Sequence, residues 1–183
     1  MKQNSEARDE IEVKIEVSAE ELERVRSRLQ EFGFTLTATR RKEENRMFDF
    51  SDRRLQNTGC ALRLRDYSGK CIFTYKGPQK PDPLLKIREE IETSVADFDS
   101  IRRILEAIGL EETFQYGKYR EKYARELASG PVEICLDETP VGCFVEIEGS
   151  RQGIDEIAGS FNWAPERFIQ RNYIDLYRER MKS

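Results

Sequence analysis

Histidine is absent from all 183 residues. That excludes Ser-His-Asp and Cys-His nucleophile systems and the usual histidine-containing zinc sites, so any metal must sit on carboxylates. Cysteine is scarce as well: Cys60, Cys71, Cys135 and Cys143 show no C-x-x-C spacing and lie in apolar stretches, where small buried hydrophobes are expected. No apolar run approaches the roughly 18 residues of a membrane span. Met1 to Glu16 is charged and alternating rather than basic and then apolar, so a soluble, cytoplasmic protein is expected. Charge of one sign is not in excess either. The 31 basic and 35 acidic side chains give a net charge of -4, which disfavours a general nucleic-acid or anionic-membrane binder.

What the chain has in quantity is charge. Charged residues make up 36% of it against 38% hydrophobic, more than a surface alone needs, so some charge is expected to face inward. The length fits a single domain over 1–183. Glu10 to Val17 alternates charged and aliphatic side chains without a break, the period of a strand with one apolar face. Ser18 then starts a helix, with Glu21 completing a capping box and Gly33 ending it. Phe34 to Phe50 reads as strand interrupted near Lys42 to Asn45, and Ser51 to Gly59 as a short helical turn.

Two further strands, Ala61 to Arg65 and Cys71 to Lys76, are separated by Ser68-Gly69 and should pair as a hairpin. After a proline-rich loop, Leu84 to Thr93 alternates again and leads into a helix from about Asp97 to Gly109. Glu90-Ile91-Glu92 leading to Ile108-Gly109-Leu110 thus repeats Glu10-Ile11-Glu12 leading to Phe32-Gly33-Phe34. Strands at about Tyr116 to Glu126, Val132 to Glu138 and Cys143 to Gly149 follow, then helices near Ile154 to Ser160 and Tyr173 to Met181, for about eight strands in all.

On any one strand a charged face is ordinarily just solvated. Here the pattern recurs with a spacing of two on strand after strand. It comprises Glu10, Glu12, Lys14 and Glu16; Arg63, Arg65 and Lys76; Lys86, Arg88, Glu90 and Glu92; Lys118, Arg120 and Lys122; Glu133 and Asp137; Glu146 and Glu148. About eight antiparallel strands can close into a barrel whose lumen takes one face of every strand. A lumen with separate acidic and basic sets suits a metal-bound polyanion. Carboxylates two apart can jointly hold Mg²⁺ or Mn²⁺, and arginines two apart can fork onto successive phosphates. Glu16, Glu133, Lys86 and Lys122 are expected at strand ends in water, and Glu43-Glu44 on the solvated surface.

These residues resemble the CYTH superfamily of triphosphate tunnel metalloenzymes, which includes class IV adenylyl cyclases, thiamine triphosphatases and inorganic tripolyphosphatases. The family's E-x-E-x-K strand stands here as Glu10-Ile11-Glu12-Val13-Lys14. Arg63-Leu64-Arg65, Tyr75-Lys76-Gly77-Pro78, Arg88-Glu89-Glu90-Ile91-Glu92, Lys118-Tyr119-Arg120, Leu136-Asp137 and Glu146-Ile147-Glu148 follow in family order. The resemblance spans about residues 10–177. It implies an α+β fold, a closed eight-stranded antiparallel β-barrel with a charged interior and peripheral helices.

It further implies metal ligands at Glu10, Glu12, Asp137, Glu146 and Glu148, and a triphosphate clamp of Arg63, Arg65, Lys76, Arg88, Lys118 and Arg120. Glu90 and Glu92 are then the catalytic carboxylates, with Lys14 orienting the acidic cluster. The cofactor would be Mg²⁺ or Mn²⁺, the partner a small-molecule triphosphate, and a homodimer is in keeping with the family. Two positions depart from the class IV cyclases: Asn4-Ser5 replaces their His-Phe pair, and Asn172-Tyr173 a late Ser-Tyr pair. Triphosphate hydrolysis is therefore favoured over cyclisation of ATP to cyclic AMP and pyrophosphate, with a non-catalytic polyphosphate-binding module as the third reading.

Overall fold

Residues 8–67 and 69–181 are described by the computed structural model of the chain. Nine strands and five α-helices occur among them, in the order β1 (Arg8–Val17), α1 (Ala19–Glu31), β2 (Thr35–Phe50), α2 (Arg54–Asn57), β3 (Ala61–Tyr67), β4 (Lys70–Lys76), β5 (Lys86–Val95), α3 (Phe98–Ala107), β6 (Leu110–Leu127), β7 (Gly130–Thr139), β8 (Gly142–Gly149), α4 (Arg151–Ser160), β9 (Phe168–Ile169) and α5 (Tyr173–Arg180). The sheet runs β5-β4-β3-β2-β6-β7-β8-β1-β9, and β5 also pairs with β1. The eight long strands therefore make a closed antiparallel β-barrel, the architecture expected from the repeated charged faces. Closure leaves no long unpaired edge. No helix among the described residues is long and apolar enough to cross a membrane.

Contacts divide the chain into two units, 1–10 with 42–81 and 87–117, and 11–41 with 82–86 and 118–183. In the first, Phe48, Leu64 and Cys71 on the strands are buried with Leu105 of α3 and Leu110, and Leu62, Phe73, Phe98 and Ile101 pack around them. In the second, Val13 and Ile15 of β1, Ile134 and Leu136 of β7, and Val145 and Ile147 of β8 are buried, as are Leu22, Val25 and Leu29 of α1 and Ile154, Ile157 and Ala158 of α4. Both helices lie on β8. Each fully buried aliphatic side chain is worth about 1.5–3 kcal/mol. On β1, β7 and β8 one face thus supplies the hydrophobic core under the helices, which leaves the other face free to carry charge.

The helix boundaries follow the capping chemistry. The Ser18 and Asp97 side chains accept from Glu21 N and Ser100 N, and the chain after α1 and α3 reverses through Gly33 (φ 74°) and Gly109 (φ 93°), where a residue with a Cβ would be strained. Only half of the expected capping box at Ser18 forms, because the Glu21 carboxylate turns instead to Trp163 Nε1 (3.0 Å) and Arg167 Nη1 (2.9 Å). Three other expectations are corrected. β2 is continuous through Lys42 to Asn45, since Glu43 and Asn45 have partners on their own face. β6 begins at Leu110, earlier than its alternation suggested. The short β9, paired with Lys14 and Ile15 of β1, has no sequence signature.

Candidate active site

On the charged face of the first unit the strand register sets the partners. Lys76 stands directly opposite Glu90, and Thr74 opposite Glu92. The Lys76 ammonium bonds the Glu90 carboxylate and also reaches Glu10 Oε2 at 3.4 Å. Burial, together with the neighbouring Glu10 carboxylate, outweighs Lys76 and pushes the Glu90 carboxyl up to about 7. Arg63 gives one bond to Thr74 Oγ1 (3.3 Å), and Thr74 in turn donates to Glu92 Oε2 (3.0 Å). The Arg63 guanidinium is 7% exposed, and its Nε meets no acceptor among the described residues.

Arg65 lies against Asn45 Oδ1 (3.3 Å) and Glu43 Oε1 (3.4 Å). Glu43, expected on the solvated surface, is 1% exposed: with Asn45 it lies on the face of β2 that meets Arg65, and an ion pair is what makes its burial tolerable. Arg88 is also buried, but its guanidinium is spent on backbone, donating to Gly77 O and Gly59 O at 2.9 Å each and pinning the turns beside β3 and β4.

The charged face of the second unit is a ladder of ion pairs. Lys14 stands opposite Glu146 on β8, and Arg120 opposite Asp137 on β7. Asp137 has no exposed surface and receives Lys118 Nζ (2.8 Å), Arg120 Nε and Nη2 (2.6 and 2.5 Å) and the Tyr173 hydroxyl (2.5 Å). Glu146 pairs with Arg120 and with Lys14 (3.3 Å). Burial alone would push its carboxyl up, but Arg120, Lys118, Lys14 and Lys86 hold it well below the usual carboxylate range. Burial, helped by Lys86 and Lys118, lowers the Lys14 ammonium against the pull of Glu146 and Glu12.

Lys86, expected at a strand end in water, is instead buried on Glu12. It opens β5, but the preceding Leu85 is fully buried and Asp82 accepts from the amides of Leu84 and Leu85, so the whole entry to the strand is drawn inward. Lys122 and Glu133 pair with each other at 2.6 Å, half-buried. Tyr173 was not legible as a site residue: it opened an expected helix and stood in the Asn172-Tyr173 pair that replaces the family's late Ser-Tyr, but nothing local places its ring among lysines.

Among the described residues no three carboxylate or cysteine side chains converge as a metal cage. The donor chemistry nevertheless suits a hard divalent cation. Backbone register sets Glu148 directly across from both Glu12, which pairs with Lys86, and Glu133, which pairs with Lys122, and carboxylate oxygens gathered in this way are the donors a hard cation prefers. Asp137 is placed differently, its two oxygens already serving four donors.

Residues 8–165 match the CYTH domain family, and this chain belongs to it. Members are generally divalent-metal-dependent enzymes acting on small-molecule triphosphates. A Methanocaldococcus jannaschii protein named "putative adenylate cyclase" is 32% identical over 177 residues, covering 91% of this chain and 98% of that one. Among solved structures, a Vibrio parahaemolyticus protein, also named "putative adenylate cyclase", superposes with a TM-score of 0.81 at 19% identity over 94% of this chain and 99% of that one. A Hippeastrum protein named "putative adenylyl cyclase" and described as revealing a dominant triphosphatase activity superposes with a TM-score of 0.67 at 18% identity over 93% of this chain and 95% of that one. At these identities the two structures speak for the fold.

Proposed function

We propose that the protein is a divalent-metal-dependent triphosphatase that hydrolyses a nucleoside, thiamine or inorganic triphosphate. The observation that carries the reading is Arg63, a buried guanidinium whose Nε lacks an acceptor among the described residues, on the strand face of the first unit that also buries Arg65. Burying an ion costs several kcal/mol unless it is well paired. Cations gathered on one strand face at that cost call for an anion of several charges, and linear phosphates supply oxygens at a spacing that arginines two residues apart can follow.

In this reading Arg63, Arg65, Lys76, Lys118 and Arg120 exchange carboxylate partners for phosphate oxygens. Glu12 and Glu148, with Glu10 and Glu146, are the oxygen donors that would hold the ion. What a divalent ion supplies when bound is neutralisation of phosphate charge and polarisation of phosphoryl oxygens. Glu90, its carboxyl near neutrality, accepts the proton of the water attacking the terminal phosphorus, and Lys76 beside it steadies the carboxylate between turnovers. Lys14 keeps the Glu146 carboxylate in place, and Glu92 fixes Arg63 through Thr74.

Cyclisation of ATP is the second reading, favoured by the name of the archaeal relative. The Asn4-Ser5 position that argues against it lies outside the described residues. At Asn172 the departure is small, because its side chain accepts from Asp175 N as the cap of α5, a task serine performs equally well.

The test is product analysis with tripolyphosphate, thiamine triphosphate and ATP, each with Mg²⁺ and with Mn²⁺. Phosphate release supports the triphosphatase; cyclic AMP with pyrophosphate replaces it by the cyclase. Absence of turnover together with metal-independent thermal stabilisation by tripolyphosphate would make the protein a binding module.

A further inference from the structure

The proposed chemistry does not use Tyr173, yet this side chain meets Asp137, Phe144, Lys14 and Lys118 in the second unit. It is the first residue of α5 and is buried. Its hydroxyl donates to Asp137 Oδ2 at 2.5 Å, and its ring meets Phe144 edge-on with centroids 5.5 Å apart. Two ammonium groups share that ring, Lys14 Nζ at 4.1 Å and Lys118 Nζ at 4.3 Å from the centroid. A cation over a tyrosine ring is attracted to it, and more strongly when both are out of water.

The lysines also depend on the segment that carries the ring. Lys14 Nζ donates to Arg171 O at 3.1 Å, and Lys118 Nζ donates to the same Asp137 oxygen as Tyr173. Helix α5 is held in turn by Arg180, which donates to both Glu16 oxygens (2.7 and 2.8 Å) and to Val141 O (2.6 Å). Leu176 and Tyr177 are buried. The ring therefore has little freedom to move.

We infer that Tyr173 is a positioning residue of the anion site: its ring fixes the places of the Lys14 and Lys118 ammoniums, and its hydroxyl shares Asp137 with Lys118 and Arg120 so that Lys118 and Arg120 can turn to phosphate. Each ammonium already has a carboxylate, Glu146 for Lys14 and Asp137 for Lys118, and the ring adds a contact to both that carries no negative charge and so does not compete with an incoming phosphate. The hydroxyl acts on the anion partner. By donating to Asp137 it weakens that carboxylate's hold on Lys118 and Arg120. The inference rests on the triphosphate reading above.

The test compares Tyr173→Phe, which keeps the ring and loses the hydroxyl, with Tyr173→Leu and Tyr173→Met, which lose both. Tripolyphosphate affinity is measured by calorimetry without metal, and kcat and KM with Mg²⁺, alongside melting curves for every variant. The expected order of affinity is wild type, then Tyr173→Phe weaker by about threefold, then the ring-less variants weaker by about tenfold, with KM following and kcat within about twofold of wild type.

A melting point that falls in the ring-less variants while affinity and KM stay put would make Tyr173 structural and overturn the inference. A loss confined to kcat would overturn it too, by making the side chain part of the chemistry. Wild-type protein that neither binds nor turns over tripolyphosphate would instead overturn the triphosphate reading, and this inference with it.

Discussion

In the first unit Glu90 and Glu10 crowd each other, whereas in the second Asp137 and Glu146 are wrapped in cations. Glu90 lies beside Glu10 with one lysine between them, and its carboxyl is pushed up to about 7; Glu146 faces Arg120 and Lys14 and is held well below its usual range. Burial pushes both groups in the same direction, so the charge neighbourhood alone makes the difference. A carboxylate poised near neutrality can take and release a proton, while one pinned as an anion can only hold its neighbours still. The cations divide the same way, with an unsatisfied nitrogen on Arg63 in the first unit and a closed ladder from Lys14 to Asp137 in the second.

The hardest way to break that contrast is at Glu90. Glu90→Gln should lower kcat for the triphosphate by about 10²–10⁴-fold, the range for losing a general base, and leave tripolyphosphate affinity measured by calorimetry near wild type. Undiminished turnover would move the base elsewhere. In the second unit Asp137→Asn should act on stability instead, by about 3–5 kcal/mol in urea unfolding, because Lys118 and Arg120 lose their buried counter-charge. A loss under about 1 kcal/mol would show that the ladder relaxes around the change.

The pH dependence of stability sharpens the comparison further. Glu90 has a folded-state value of about 7 against 4.5 for the free side chain, so it binds its proton more tightly when folded. Its contribution is fully present below pH 4.5, declines as pH rises from 4.5 to 7, and is constant above that, a span of at most ~3 kcal/mol. Glu146 has the opposite sign: depressed in the fold, it stabilises above its ordinary value and is lost as pH falls. Urea unfolding of wild type and Glu90→Gln across pH 4 to 8 should show the variant without the decline between 4.5 and 7. An identical slope in both proteins would refute the shared burial of Glu10 and Glu90.

What was legible in the sequence is what depends on period. Alternation set the charged face of β1 and of the β3–β4 hairpin, and charge recurring on strand after strand implied closure, because an open sheet could have left that face in water. Partners were illegible. Nothing in Glu43-Glu44 distinguishes the glutamate that is buried on Arg65 from the one beside it, since only the register of β2 on β3 decides which faces inward. Arg88 carries the same spacing as Glu90 yet spends its guanidinium on two carbonyls of the turns. Tyr173 is contributed by a helix more than 150 residues after Lys14 in the chain, and no local pattern reports such a meeting.

The smallest expected effect separates the two units at the level of a single cap. Helix α5 of the second unit begins at Asn172, whose Oδ1 accepts from Asp175 N at 2.9 Å, and this cap fixes where the next residue, Tyr173, enters the charged face. Helix α3 of the first unit begins at Asp97, whose oxygen accepts from Ser100 N at 2.6 Å, but α3 delivers no charged or aromatic group to a charged face and buries only Leu105. Asn172→Ser should change stability by a few tenths of a kcal/mol and leave tripolyphosphate affinity alone, because serine caps as well as asparagine. Asn172→Ala and Asp97→Ala should each cost about 1 kcal/mol in unfolding. Only the first should also weaken tripolyphosphate binding, since only there does fraying of the first turn release a side chain that two lysines share. Equal binding in the two alanine variants would mean that α5 is held by Arg180 and the buried Leu176 alone, with the cap contributing nothing to the site.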